Sequence, residues 1–173
     1  MTKALVGIIM GSDSDLPVMK ESAVVLEEFD IPYDISILSA HRTPDQLVDY
    51  VRKAKESFEV LIAGAGGAAH LPGVIAAHTI IPVIGVPIEA SPLGALDSLL
   101  SIVQMPSGIP VATMAIAQSG AKNAGIYAVQ ILALNRPKLG DKLREYRKSM
   151  AESVMNKDNK LKTLGWKGYL AEK

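Results

Sequence analysis

Three short loops hold most of the side chains in this sequence that can do chemistry. They are Gly11-Ser12-Asp13-Ser14-Asp15, Ser39-Ala40-His41-Arg42-Thr43-Pro44 and the glycine-rich run from Gly64 to Gly73, and they carry two of the three histidines. In the first loop, Ser12, Ser14 and the free N–H groups of a helix start suit an anion, most often phosphate. Asp13 and Asp15 repel a bare phosphate unless they point away. A carboxylate beside a phosphate site accepts from sugar hydroxyls, so the loop suits a phosphorylated sugar; the plainer alternative is a capped helix with no ligand. In the second loop, Arg42 can grip phosphate oxygens with paired N–H donors. His41 can move a proton near neutral pH; the alternative is that both are ordinary helix-entry residues. The third loop has four glycines in ten residues, and each costs conformational entropy on folding. Such residues suit tight turns and close approach to a ligand. His70 opens an apolar helix, as either a neutral hydrogen-bond partner for a substrate or a satisfied core histidine. His78, at the far end of that helix, reads as structural.

Other chemistries lack their residues. With no cysteine there is no disulfide, thiolate nucleophile, iron–sulfur cluster or cysteine zinc site. The histidines lack the His-x-x-x-His spacing, and no carboxylate pair stands beside them, so no metal site is expected. Gly-x-Ser-x-Gly, Gly-x-Gly-x-x-Gly and Gly-Lys-Ser/Thr are also missing.

The loops sit between alternating strand and helix patterns. Apolar runs predict strands over Ala4–Met10, Tyr33–Leu38, Val60–Ala63, Pro82–Val86 and Val111–Ile116. Helical spacing predicts helices over Leu16–Phe29, Pro44–Ser57, Leu71–His78, Leu93–Val103, Asn123–Leu134 and Lys138–Asn156. Ser14 or Asp15 is expected to cap the first helix and Thr43 the second. Residues 157–173 have no clear class. Five β-α units imply a three-layer α/β/α fold with a five-stranded parallel sheet and right-handed crossovers. The expected flavodoxin-like order is 2-1-3-4-5, with an extra C-terminal helix. Ligands in such sheets bind beyond the carboxyl ends of the strands, near the reversal between strands 1 and 3. The three polar loops would meet there.

The chain has 173 residues, 49% of them hydrophobic. That fits one domain, with residues 1–156 as the α/β body, C-terminal amphipathic helix included, and 157–173 as a tail. Basic and acidic residues number 18 each, so net charge indicates neither nucleic acid nor membrane. From Pro137 onward there are 10 basic and 5 acidic residues, which leaves 8 and 13 before it. Interleaving of those charges favours a solvated helix over a nucleic-acid arm. Residues 60–88 contain no Asp, Glu, Lys or Arg, but their glycines, prolines and histidines argue against a membrane span. The N-terminus is not patterned as a signal peptide, and the lack of cysteine fits a cytoplasmic location. Apolar composition and the stripe of Leu139, Leu143, Tyr146, Met150 and Val154 point to a homo-oligomer.

The three loops, together with Ser101-Ile102-Val103-Gln104-Met105-Pro106 and Gly108-Ile109-Pro110-Val111, resemble the class I PurE family, the N5-carboxyaminoimidazole ribonucleotide mutases of purine biosynthesis. The likeness runs from about Leu5 to Asn156. It implies an octamer and an isomerisation in which the carboxylate on the exocyclic nitrogen moves to ring carbon C4. CO₂ is released and recaptured in a closed site, with no metal, nucleotide or biotin. By motif, the resemblance puts Ser12 and Arg42 on phosphate and Asp15 on ribose, with Ser14 in the same cradle. His41 would be the general acid and base. Ser39, Ala40, Gly66, His70 and Leu71 would line the base and CO₂ pocket. Two alternatives remain: an aminoimidazole ribonucleotide carboxylase using free CO₂, which typically has Lys where Arg42 stands, and a non-catalytic flavodoxin-like binding module. The first would need bicarbonate; the second would titrate with flavin.

Overall fold

The computed structural model describes residues 3–172. Its parallel sheet is built from β1 (Val6–Met10), β2 (Tyr33–Ile37), β3 (Val60–Gly66), β4 (Val83–Ile88) and β5 (Ala112–Thr113), in the order β2-β1-β3-β4-β5. Every residue of β1 and β4 is buried, as expected of central parallel strands covered on both faces. Each large aliphatic side chain buried there contributes about 1.5–3 kcal/mol.

Helices α1 (Leu16–Glu28), α2 (Pro44–Ala54), α3 (Leu71–Ala77), α4 (Leu96–Val103) and α5 (Ala117–Ala133) link and cover the strands. One core cluster joins Leu47 and Val51 of α2, Ile75 of α3 and Ile102 of α4 to Ile9, Leu61, Ala63 and Val83 of the sheet. On the opposite face, the Ser22 hydroxyl of α1 donates to the Ala121 carbonyl of α5 at 2.6 Å.

The chain divides into two compact units, one ending at Leu132 and the other beginning at Ala133. In the second, α6 runs from Pro137 to Ala171, well past Asn156. Gly165, at φ 65 and ψ 164, breaks it into two helices. A straight helix would hold residues 160 and 172 about 18 Å apart. Instead Lys160 Nζ lies 2.7 Å from a Glu172 carboxylate oxygen, so the last turns fold back.

Three local expectations are corrected. Strand β5 is two residues long instead of spanning Val111–Ile116, and α5 begins at Ala117, six residues before Asn123. Neither α1 nor α2 has a side-chain cap: Thr43 occupies the cap position of α2, but its hydroxyl instead accepts from Ser39 N–H at 2.8 Å and donates to Ser39 O at 3.1 Å.

Candidate functional site

Sheet register brings the three loops together. Met10 pairs with Ile37 on one side and Gly64 on the other, so β1 and β2 end at one level and β3 runs two residues further, to Gly66. The chain leaves this edge into residues 11–15, 38–43 and 67–70.

In the first loop, Asp13–Asp15 forms one 3-10 turn capped by Ser12, whose Oγ accepts from Ser14 N–H at 3.3 Å. The Ser12 hydroxyl also donates to Asp13 Oδ1 at 3.1 Å. Arg42 reaches across from the second loop and donates through Nη2 to Gly11 O at 2.6 Å. Ser39 Oγ accepts from the backbone N–H groups of His41 and Arg42 at 3.4 and 3.2 Å, and from Arg42 Nε at 3.4 Å. A crevice of about 480 Å³ opens here, lined by Gly11, Ser12, Asp13, Ile37, Ser39, Arg42 and Thr43. Its guanidinium and hydroxyls are the groups that hold a phosphate ester.

Asp15 lies beneath this surface, 7% exposed. Burial pushes its carboxyl above the ordinary 3.8, opposed by N–H groups of Ser12 and Gly11, the Ser14 hydroxyl and the Arg42 charge. The raised value means the folded chain holds this proton more tightly than the unfolded chain. Stability from this group is therefore complete below the ordinary value and is lost as pH rises through the raised one. Asp15→Asn is expected to melt at a higher temperature than the parent at pH 7–8, with the difference vanishing below about pH 3. Its KM for substrate should rise. A lower melting temperature at neutral pH would contradict the assignment of burial as the dominant cause.

The two loop histidines touch. His41 Nε2 and His70 Nδ1 are 2.7 Å apart, with ring planes at 85°. Both side chains are exposed. His70 is the residue preceding α3, whose first residue, Leu71, is buried in the core cluster, with Ala40 packed against the same cluster. A Cβ on Gly66 would stand 2.4 Å from Ala90 Cβ and 3.1 Å from Ile88 O, so the absent side chain lets the β3 and β4 ends close up. Of the residues expected at a site, Ser12, Ser39 and Arg42 line the crevice, with Asp15 beneath it. Ser14 shares the 3-10 turn, and His41 and His70 pair with each other. Of the lining residues, Ile37 lay outside the three loops named from sequence, and its position at the end of β2 was the available signal; Gly11, Asp13 and Thr43 lay within those loops but were not singled out as site residues. The motif around Met105 also touches α3, since a Cβ on Gly73 would stand 2.8 Å from Met105 Sδ. Among the described residues, no three His, Cys, Asp or Glu side chains are grouped to hold a metal ion, and no helix is long and apolar enough to cross a membrane.

The model of the AIR carboxylase family matches residues 5–153. A protein of Pyrococcus horikoshii named N5-carboxyaminoimidazole ribonucleotide mutase is 61% identical over 98% of this chain and 96% of its own length. The phosphoribosylaminoimidazole carboxylase of Schizosaccharomyces pombe is 56% identical over 96% of this chain, which spans 30% of that longer protein. Among solved structures, Treponema denticola PurE superposes with a TM-score of 0.83 at 30% identity, covering 92% of this chain and 99% of that one.

Proposed function

The chain belongs to the AIR carboxylase family, and we propose the following chemistry for its crevice. The enzyme is an isomerase of purine biosynthesis: it converts N5-carboxyaminoimidazole ribonucleotide to 4-carboxy-5-aminoimidazole ribonucleotide. In our reading, Ser12 and Arg42 hold the 5-phosphate, Ser14 completes the cradle and Asp15 accepts from the ribose. Ser39, Ala40, Gly66, His70 and Leu71 enclose the base and the CO₂.

His41 carries the proton. As imidazolium it protonates the exocyclic nitrogen while the N–C bond breaks, and CO₂ leaves with no excess charge. Ring carbon C4 then attacks CO₂ to form the new C–C bond. Neutral His41 removes the C4 proton, restoring the aromatic ring and the imidazolium. The net change moves one carboxylate from nitrogen to carbon and one proton from carbon to nitrogen, so a single base closes the cycle. CO₂ binds weakly, and the site retains it by exclusion from water. The observation that supports this reading most is the Arg42–Gly11 bond at 2.6 Å, which ties the histidine loop to the serine loop. The direct test is an ultraviolet assay of the purified protein with the carbamate ribonucleotide and no added bicarbonate. Conversion at full rate supports the mutase; an absolute need for bicarbonate with aminoimidazole ribonucleotide as substrate overturns it.

The same reading takes residues 1–156 as the catalytic body and 157–173 as a tail, with the enzyme working in the cytoplasm as a homo-octamer. Two exposed apolar faces support assembly. Leu96, Leu100 and Val103 recur along one side of α4, with Leu93 just before it, and are 47–66% exposed, and Met150, Val154 and Met155 do the same on α6. Contiguous apolar surface of this kind marks interfaces. Light scattering is expected to give a mass near eight times 18.4 kDa; a monomer at working concentration would contradict it.

A further inference from the structure

We infer that His70 is the positioning residue for His41: its Nδ1 accepts the His41 Nε2–H bond, holds that imidazole in one tautomer, and leaves His41 Nδ1 as the ring nitrogen that trades protons with substrate. This deepens the reading of His41 as acid and base, and rests on it.

A 2.7 Å separation between two ring nitrogens requires one proton between them. Two N–H groups or two lone pairs facing each other would repel. With both rings neutral, two arrangements are open. If His41 donates, both rings take the Nε2–H form, the commoner form of a free imidazole. If His70 donates, His41 must take the rarer Nδ1–H form. The first arrangement also survives protonation of His41, because imidazolium Nε2–H still donates and the added proton sits on Nδ1. The Nε2 proton therefore stays in place through the cycle, while Nδ1 gains and loses the proton. An acceptor behind a catalytic imidazole fixes orientation and tautomer in this way in unrelated enzymes.

The backbone around both rings is built to hold the pair. Ala69, directly before His70, is 3% exposed and held at φ 42, a left-handed conformation that costs an alanine energy. Its N–H donates to Gly66 O at 3.1 Å, closing the turn that delivers His70. On the other side, His70 O accepts from Val74 N–H at 3.0 Å in the first turn of α3. His41 is held by the Ser39 hydroxyl, which accepts from its N–H at 3.4 Å. Two anchored loops thus meet through these imidazoles.

The test is nitrogen-15 NMR of the histidine-labelled protein above neutral pH, without substrate, with His41 signals assigned by their loss in His41→Asn. The parent should show a protonated Nε2 and a bare Nδ1 on His41. In His70→Ala both nitrogens should move toward averaged shifts, and kcat should fall by about 10–100-fold. His70→Asn, whose carboxamide oxygen can accept the same bond, should restore the tautomer and part of kcat. A bare His41 Nε2 in the parent, or unchanged His41 shifts in His70→Ala, would overturn the inference. Normal turnover in His41→Asn would instead overturn the catalytic reading and leave the tautomer result standing.

Discussion

Replacing His41 by Asn is expected to lower kcat by about 10³-fold while leaving the fold and substrate binding close to normal. The size follows from the two tasks given to one side chain. General acid–base help is typically worth roughly 10²–10⁴-fold, and in this scheme the same imidazole protonates nitrogen and deprotonates C4. Asp15 is buried under the loop, and His70, in contact with His41 Nε2, is given the separate task of holding that ring. The fold should tolerate the change because the side chain is exposed and lies outside the core cluster. Phosphate binding should survive because Arg42 and Ser12 have their own partners in the loops. Steady-state turnover and a binding titration with the ribonucleotide separate the two effects. Turnover within about tenfold of the parent would remove His41 from the proton cycle.

The second large effect falls on stability, in α5. Gly120 is buried, and a Cβ built there would sit 1.6 Å from the Ala115 carbonyl oxygen and 2.6 Å from its carbon. A flexible side chain could move aside; a backbone carbonyl cannot without displacing the segment between β5 and α5. Overpacking of a well-filled site costs about 1–3 kcal/mol and more where nothing can yield. Gly120→Ala is therefore expected to cost at least about 3 kcal/mol, although alanine is the better helix former. Chemical denaturation of parent and variant measures the difference. A loss below about 1 kcal/mol would show that the Ala115 turn is free to shift.

Much of the fold was legible because the apolar runs are unambiguous. Ala4–Met10 and Pro82–Val86 read as strands without alternation, where the structure has buried strands over Val6–Met10 and Val83–Ile88, and the register Met10–Ile37–Gly64 places all three polar loops where a 2-1-3-4-5 sheet must place them. Where reading failed, a local signal had another cause. The helix expected from Asn123 begins at Ala117, and Gly120 sits inside it where the Ala115 carbonyl leaves no room for a side chain. Thr43 has the chemistry of a cap, but its hydroxyl closes the loop onto Ser39 instead. The segment beyond Asn156 seemed classless because Gly165 interrupts its pattern; Leu161 and Leu164 still carry helical spacing up to that glycine. At the site, sequence put His41 and His70 in one crevice. Their contact at 2.7 Å depends on side-chain reach from two loops, which spacing alone does not specify.

The measurement that goes straight to the mechanism is isotopic. Carbamate ribonucleotide labelled with carbon-13 in its carboxylate, turned over in unlabelled bicarbonate, gives a product whose C4 carboxylate can be read by carbon NMR. Transfer inside a closed crevice predicts that nearly all of the label is retained and that retention is insensitive to bicarbonate concentration. Product carrying the unlabelled carbon of the medium would mean that CO₂ escapes before C4 attacks, and the intramolecular account would be wrong.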